Sequence, residues 1–374
     1  MRNTRFSIKS DGAAGVVLLV LLVVVLAVLF AWVTRRPALP EALLQPRAVL
    51  IPTVGENGEP AKPGTADALK ATFVGVSTLM FDDGVHAILV DGFFSRPGFL
   101  KTALGRVGPE PEKVESALKR LGLINGPLKL LAVVTAHSHY DHAMDAPLVA
   151  KLTGARLLGS QSTVYLGLGQ GLPAEQMTLA ANGRNIEIGP FVVQFIPAIH
   201  SPTPWNNGHD GGELKAPLVP PVHAADYKEG GSYSLLFEYQ NPELKEALKP
   251  RWLVQASAGF ISNGLDGVRA DTVFLGIGTL GKKDDKYKEA YWLEVVTTVG
   301  AKVVVPVHWD DFTLGLDEPL KPLPKVLDNF KSSANFLSAR SVADGVRLQW
   351  LGAFESMDLP LPREEELSFL PNTL

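Results

Sequence analysis

The sequence predicts an α/β protein in which two mixed sheets pack face to face, with helices on their outer sides. Short runs rich in Val, Ile, Leu and Phe alternate with stretches of helical spacing. Their order is β-β-α-β-α-β-β-β, followed by β-β-β-α-β-α-β. The strand-like runs are apolar on both faces, as expected for strands that are covered from both sides. These two observations favour a four-layer sandwich.

The predicted elements of the first half begin near Ala71. The predicted strands are 71–81, 86–94, 130–134, 155–160 and two strands within 185–200, with helices at 112–123 and 146–154. Asp82-Asp83-Gly84 is predicted to be the turn between the first two strands. Asp145 is predicted to be the N-cap of the second helix, which stops at Gly154.

The predicted elements of the second half follow the same logic. The predicted strands are 232–239, 251–257, 271–278, 301–308 and 346–351, with helices at 287–300 and 323–339. The body therefore covers residues 71–374, and no internal repeat interrupts it.

The N-terminus differs from the body in composition. After a flank at 1–12, residues 13–33 contain no charged residue and would form a helix roughly 32 Å long, enough to cross a bilayer core. Trp32 lies at the expected interface. We predict a retained transmembrane anchor, with a cleaved signal peptide as the alternative. Residues 34–70, which are rich in proline, are predicted to be a linker or extended arm.

The charges around this apolar segment predict its orientation. Arg2, Arg5 and Lys9 precede it, and Arg35 and Arg36 follow it. This slight bias favours a cytoplasmic N-terminus and a periplasmic or extracellular body on a single-pass membrane protein.

Composition excludes several kinds of site. The net charge is −4 and no block of Lys and Arg is present, so we expect no nucleic-acid partner. The chain has no cysteine, which excludes disulfides, thiolate zinc sites and a cysteine nucleophile.

A cluster of histidines follows the predicted strand 130–134. His137 and His139 are separated by one residue, so in an extended segment they point the same way and can reach one metal. Asp141 and His142 follow where the chain turns, and they can reach a neighbouring position. Imidazole nitrogen and carboxylate oxygen suit zinc, and manganese or iron accept the same donors.

Two further histidines end strands in the same manner. His200 closes the strand that precedes it, and His308 closes "VVVPVH". Strand ends at one sheet edge converge in space, so we expect both residues at the metal centre. The predicted groups are His137, His139 and His200 for one metal, and Asp141, His142 and His308 for the other.

The motif HSHYDH with His200 and His308 downstream resembles the metallo-β-lactamase-fold hydrolase superfamily, whose core motif is HxHxDH. The resemblance covers roughly residues 71–352. It implies an αβ/βα sandwich with one or two metals at one edge, held by the six residues named above. "GVSTLMF", "AILVDGFFS" and "PVHWDDF" resemble most closely the branch of lactonase-like proteins and N-acylphosphatidylethanolamine phospholipase D.

One departure from the superfamily concerns the aspartate that normally bridges the two metals. The matching stretch, "LVQASAGF", places Ser257 at that position, either as a small residue beneath the site or as a polar contact to metal-bound water. The second metal should then bind weakly or not at all, unless Asp310 or Asp266 supplies the carboxylate. Asp271 is expected to be structural. Asp91 is expected either to orient a ligand histidine or to be an ordinary turn residue.

Residues 201–231 show little periodicity and directly follow His200. A stretch this long within a compact domain is usually functional or disordered, and its position favours a lid over the metal edge. Trp205 could form an apolar wall of this lid. His209 or His223 could meet a charged group of the substrate, with a solvated loop position as the alternative for each.

These features predict a membrane-anchored metal-dependent hydrolase that uses metal-bound hydroxide on an ester-type bond, with Asp141 orienting the nucleophile or taking its proton. The substrate could be a phosphodiester, a lactone or a thioester, and a small-molecule or lipid-like compound suits the anchor and the lid. One alternative is a membrane-tethered binding protein without catalysis on a degenerate hydrolase fold. A β-lactamase is a further alternative, which the long lid disfavours.

Overall fold

The computed structural model describes residues 20–25, 27–28, 31, 34–44, 62–65, 68–180, 182–202, 211–240 and 248–360. Within these residues, two seven-stranded sheets pack against each other. The predicted two-sheet sandwich is confirmed.

The first sheet has the strand order β14-β1-β2-β3-β4-β5-β6. Its strands are β1 (Lys70–Gly75), β2 (Thr78–Asp82), β3 (His86–Val90), β4 (Lys129–Val134), β5 (Arg156–Gly159), β6 (Met177–Leu179) and β14 (Glu355–Asp358). Pairing is antiparallel from β14 to β3 and parallel from β3 to β6.

The second sheet has the order β13-β12-β11-β10-β9-β8-β7. Its strands are β7 (Asn185–Ile188), β8 (Phe191–Ala198), β9 (Ser232–Tyr239), β10 (Arg251–Gln255), β11 (Thr272–Gly276), β12 (Val303–Val307) and β13 (Arg347–Leu348). It repeats the pattern of the first sheet, because β7 to β10 pair antiparallel and β10 to β13 pair parallel.

Helices cover the outer faces of both sheets. They are α1 (Glu41–Leu44), α2 (Phe99–Leu104), α3 (Pro111–Arg120), α4 (Tyr140–Ala143), α5 (Ala146–Thr153), α6 (Gln161–Gly169), α7 (Asp285–Trp292), continued by a π-helical turn at Leu293–Thr297, and α8 (Phe330–Asp344). Short 3₁₀ turns lie at Ala174–Gln176, Ala224–Asp226 and Leu280–Lys282. Helices α3 and α5 bury their apolar sides on the first sheet, and α7 and α8 bury theirs on the second.

An aromatic cluster joins the two sheets. Phe81 of the first sheet lies 5.1 Å from Trp252, 5.4 Å from Phe237 and 5.2 Å from Phe274, measured between ring centroids. All four side chains are buried. Burial of an aromatic side chain stabilises the fold by roughly 1.5–3 kcal/mol, so this cluster contributes strongly to holding the sheets in register.

The structure corrects several predicted boundaries. The predicted strand 71–81 is two strands, because the backbone turns at Gly75 and Val76, whose φ angles are +132° and +53°. The predicted strand 346–351 pairs only at Arg347–Leu348. Helix α8 begins at Phe330 rather than at residue 323. Helices α2 and α6 and strands β6 and β14 were not predicted.

Asp145 is the N-cap residue of α5, as predicted, but its side chain makes no capping hydrogen bond to that helix. Its carboxylate instead accepts from the backbone N–H groups of Phe94 and Ser95 and from the Ser95 hydroxyl. The carboxylate therefore ties the segment after β3 to the start of α5. Gly154 ends the helix in the left-handed conformation, as predicted.

The predicted transmembrane anchor, 13–33, lies mostly outside the described residues. Residues 20–25, 27–28 and 31 are helical. Within the described part of the chain, no helix has the length and apolar character needed to cross a membrane.

The described start of the predicted linker lies against the body. Arg36 Nη1 is 2.6 Å from Asp311 Oδ2 and donates to Pro322 O, and Lys325 N donates to Arg35 O. Leu39 also packs on the main core. Residues 34–44 therefore form an arm that is docked on the protein surface, next to α8.

Candidate metal centre

The candidate metal residues lie at one edge of the sandwich, where several strands end. Asp91 follows β3, Ser257 follows β10 by two residues, and His308 follows β12 directly. His137 and His200 lie shortly after β4 and β8. Neighbouring strand ends therefore place distant parts of the chain within reach of one another.

The structure brings the six predicted ligands together as two triads. Within each triad, one nitrogen or carboxylate oxygen per residue lies within 4.8 Å of the corresponding atoms of the other two. The first triad is His137, His139 and His200, and the second triad is Asp141, His142 and His308. The grouping is the one that the sequence predicts, and whether the triads bind metal stays a prediction.

The first triad consists of three imidazole rings that face one another. The His139 centroid lies 4.8 Å from that of His137 and 4.8 Å from that of His200, and His137 and His200 are 5.1 Å apart. Burial, followed by the nearby histidines, lowers the pKa of His137 well below its usual value and that of His200 to about 3. Both rings are therefore neutral at pH 7, the form that binds a cation.

The second triad contains a carboxylate. Asp141 Oδ2 lies 3.4 Å from His308 Nε2 and 3.7 Å from His142 Nε2. Burial alone would raise the pKa of Asp141, but the neighbouring His142 and His308 outweigh it and hold the pKa below its usual value. Burial likewise opposes protonation of His142, yet Asp141 and Asp91 raise its pKa overall. The second triad thus combines an ionised acid with a more basic ring.

Unpartnered nitrogen atoms show that the donor set fits a cation. Among the described residues, His137 Nε2 and His142 Nε2 are buried polar atoms that have no hydrogen-bond partner. A buried polar atom without a partner is costly, so its presence requires an explanation such as a bound ion. The nitrogen and oxygen donors without sulfur suit zinc, manganese or iron. The residues present therefore fit a divalent metal.

Asp91 supports the second triad from behind. The Asp91 side chain is fully buried. His142 Nδ1 donates to Asp91 Oδ2 at 2.8 Å, which leaves Nε2 of the neutral ring with the lone pair directed at the triad. Asp91 Oδ1 accepts from the backbone N–H of Ala136, one residue before His137. Of the two expected roles, the geometry favours orienting a ligand histidine.

Ser77 was missed by sequence reasoning. Its hydroxyl donates to Asp91 Oδ2 and lies 2.8 Å from His142 Nδ1. A serine in a turn carries no signal that it will meet a residue 65 positions away.

A buried ion pair supports the backbone next to His308. Arg96 Nη2 lies 2.7 Å from Asp310 Oδ2, and both side chains are fully buried. Asp310 Oδ1 accepts from Val76 N at 2.7 Å, and His308 N donates to Val76 O. Asp310 is therefore engaged in this pair, and it does not belong to either triad.

Backbone strain is concentrated around the same pair. Val76, Asp91, Arg96 and His308 all have φ between +42° and +58°. Positive φ is uncommon for residues other than glycine, and it is a marked outlier for a β-branched residue such as Val76. Such conformations persist where surrounding contacts hold them, often at functional sites.

Ser257 is the residue that the resemblance predicts at the position of the bridging aspartate. Its hydroxyl accepts from the backbone N–H of Ser201 at 2.8 Å, directly after His200. The serine therefore holds the segment that carries a first-triad residue. Asp266 is exposed and is not part of either triad. Asp271 accepts from Arg251 N and contacts Arg269, which agrees with the structural role expected for it.

The described part of the predicted lid, 201–202 and 211–231, is attached to the body. Glu229 O accepts from the backbone N–H of Ser138, and Leu214 packs in a buried cluster with Met144. His223 is exposed, and its Nδ1 donates to Gly105 O at 2.9 Å. His223 therefore contacts the backbone at Gly105 and belongs to neither triad. Trp205 and His209 lie outside the described residues.

Aromatic rings form a wall beside the second triad. Tyr140 lies 6.0 Å from Phe93 and 6.2 Å from Phe312 between centroids, and Phe312 lies 6.1 Å from His308. Burial raises the pKa of the Tyr140 phenol, so the group keeps its proton at neutral pH. Tyr140 and Phe312 are partly exposed and offer apolar surface next to the candidate metal residues, whereas Phe93 is fully buried behind them.

Comparison with known proteins gives relatives of one kind. No family model matches the chain. A UPF0173 metal-dependent hydrolase from Methylocella silvestris is 31% identical over 120 residues, which cover 30% of this chain and 51% of the relative. Another from Methanopyrus kandleri is 30% identical over 152 residues, covering 40% and 54%. The chain thus spans about half the length of these curated relatives.

Among solved structures, the metallo-β-lactamase-fold protein YhfI from Bacillus subtilis aligns at a TM-score of 0.43 and 13% identity, covering 77% of this chain and 99% of that chain. The similarity to metal-dependent hydrolases supports the resemblance to the superfamily that the HxHxDH motif indicates. The closer likeness to the lactonase and phospholipase D branch stays a prediction.

Proposed function

We propose that this chain is a membrane-anchored metal-dependent hydrolase that cleaves an ester-type bond in a lipid-like or other small molecule. The observation that carries the proposal is the convergence of six histidine and aspartate side chains, from one loop and two distant strand ends, into two triads. The similarity to metal-dependent hydrolases supports it. The bonds considered are a phosphodiester, a lactone and a thioester.

The two triads would hold one or two divalent cations, zinc in our proposal, with manganese or iron as alternatives. When bound, such ions supply Lewis acidity towards a carbonyl or phosphoryl oxygen and acidify water. Asp141 stays ionised because its pKa is held low, so its carboxylate can accept a hydrogen bond from a water molecule and orient it, whereas the same low pKa makes it a weak base. Asp91 fixes the ring orientation of His142 throughout.

The apolar surroundings favour an ester with a hydrocarbon part. The partly exposed rings of Tyr140 and Phe312 can bind such a group beside the second triad, with Phe93 buried behind Tyr140. The protonated Tyr140 hydroxyl can donate to a substrate oxygen. The apolar segment 13–33 would place the site at a membrane, with the body on the periplasmic or extracellular side.

The experiment combines metal analysis with a substrate screen on the purified full chain. We expect one to two equivalents of metal and hydrolysis of at least one phosphodiester, lactone or thioester. His139→Ala should lose the first-triad metal and lower turnover by about 100-fold or more. His86→Ala is the matched control, because His86 lies at the opposite end of β3, beside Asp83, and should behave like the wild type.

A second function, a tethered binding protein without catalysis, is favoured by one observation. The Ser257 hydroxyl oxygen accepts from the backbone N–H of Ser201, and Ser257 brings no carboxylate to the position expected for a bridging aspartate. Wild-type protein with metal below 0.1 equivalents, roughly trace occupancy, and no turnover would support this function and contradict the hydrolase. Unchanged turnover in His139→Ala would contradict the assigned site.

A further inference from the structure

Helix α2 exposes an apolar surface that the metal centre does not explain. None of its six residues is buried. The side chains of Phe99, Leu100 and Leu104 are 58%, 72% and 79% exposed. Single exposed apolar residues are ordinary, but three on one short helix form a patch, and patches of this kind mark contact sites.

The structure fixes α2 beside the metal centre at both ends. On the N-terminal side, Ser95 donates to Asp145, three residues after His142, and Arg96 pairs with Asp310, two residues after His308. On the C-terminal side, Gly105 O accepts from His223 of the predicted lid. The helix is therefore a fixed protrusion near the triads.

The docked arm brings the predicted membrane span to the same place. Arg36 contacts Asp311, the neighbour of the residue that pairs with Arg96. Arg36 lies only three positions after Val33, the last residue of the apolar run, a reach of about 10 Å at most. Helix α2 begins three residues after Arg96, so Phe99 lies within a similar distance of Arg96, which pairs with Asp310. A bilayer that holds 13–33 would thus lie close to α2.

The shape and charge of the patch favour a lipid surface over a protein partner. Phe99, Leu100 and Leu104 project outward from a helix, whereas protein interfaces bury such anchors in pockets. The exposed Lys101 and Arg106 flank them. Lys101 pairs with Glu110 at 2.9 Å, and residues 99–113 carry three basic and two acidic side chains, a net charge of +1. Basic side chains beside protruding apolar ones suit the headgroups of an anionic leaflet.

We propose that α2 is a second membrane contact, in which Phe99, Leu100 and Leu104 enter an anionic phospholipid leaflet and hold the metal-bearing edge against it. The proposal rests on the membrane anchoring in the proposed function. It adds the orientation of the body, because an anchor at one point leaves the body free to turn, whereas two contacts fix one face. A lipid-like substrate could then pass from the leaflet to the site without crossing bulk water.

The absence of cysteine from the chain allows a direct test. Single variants Leu104→Cys and Val342→Cys of the full chain are labelled with the fluorophore NBD and reconstituted into vesicles of phosphatidylcholine and phosphatidylglycerol that contain nitroxide-labelled lipid. Val342 is the matched control, because it is an apolar residue on α8 that is 85% exposed. We expect a blue-shifted emission at position 104 and quenching about twofold or more above that at 342.

A third label, at Val24→Cys, separates this proposal from the anchoring on which it rests. Quenching at 24, with position 104 no more quenched than 342, would overturn the contact by α2 and leave the anchor standing. No quenching at 24 would overturn the anchor itself. Pyrene at position 104 that forms excimers in vesicles, without quenching by lipid nitroxide, would show a second copy on the patch and would also overturn the proposal.

Discussion

The two triads share one loop and one sheet edge, yet they differ in charge and in support. The first triad consists of three imidazoles, and the pKa values of His137 and His200 lie below the usual value. The second triad has the Asp141 carboxylate, and it depends on Asp91 behind His142 and on a strained backbone at His308. The first is ready to bind a cation at neutral pH, whereas the second depends on contacts around it.

This difference implies that the triads would fill in order, the first tightly and the second more weakly. Variants that remove only the supporting contacts should then affect the second triad and leave the first occupied.

Asp310→Ala should destabilise the protein strongly. It leaves the fully buried Arg96 without a carboxylate, which costs about 3–5 kcal/mol. It also removes the acceptor of Val76 N, whose carbonyl binds His308 N, so the second triad should lose its metal first. Urea unfolding and metal analysis measure both effects. The double variant Arg96→Met/Asp310→Ala removes both charges and should recover part of the stability. Asp310→Ala with wild-type stability would contradict the role of the pair.

Asp91→Asn should weaken metal binding at the second triad by about 10- to 100-fold, because the amide no longer fixes the ring of His142 as a carboxylate does. Affinity at the first triad should change far less. Asp271→Asn is the control, because it makes the same change at a partly buried carboxylate that contacts Arg251 and Arg269 and neither triad. Equal losses at both triads would show that Asp91 supports the whole loop rather than His142.

Ser257→Asp should strengthen the second triad by about tenfold, because one carboxylate oxygen can keep the bond to Ser201 N while the other reaches between the triads. Ser257→Asn has the same shape without the charge and should give no gain. Metal titration of the two variants measures the difference. A gain in both would indicate packing rather than a bridging charge as the cause.

Acid should empty the second triad before the first. A raised pKa means that His142 takes up a proton at a higher pH than His137 and His200, whose pKa values are lowered, and a protonated ring cannot bind a metal. Metal retained after dialysis at decreasing pH should therefore fall in two steps, with the second triad losing its ion first. A single step shared by both triads would contradict this order.

The sequence predicts the metal centre better than its supports. His137, His139, Asp141 and His142 are recognisable because they are dense in one loop, and His200 and His308 because they end strands. The roles of Ser77 and Arg96 depend on partners that are far away in the chain, and a polar residue in a turn gives no sign of such a partner.

The fold shows the same limit at smaller scale. The sandwich follows from apolar periodicity, but the break of the first predicted strand depends on positive φ at Gly75 and Val76, and a valine gives no warning of that conformation. The sequence does not predict helix α2, because its six residues, Phe99–Leu104, are too few to show a helical period. In the sequence, the exposed Leu100 and Leu104 cannot be distinguished from the leucines of a buried strand.

The most direct test of the account is a calorimetric titration of the metal-depleted full chain with zinc, compared with His142→Ala. We expect two binding steps in the wild type, a tight one at the first triad and a weaker one at the second. In His142→Ala we expect only the tight step. Loss of the tight step in that variant, or a wild-type chain that takes up no zinc, would contradict it.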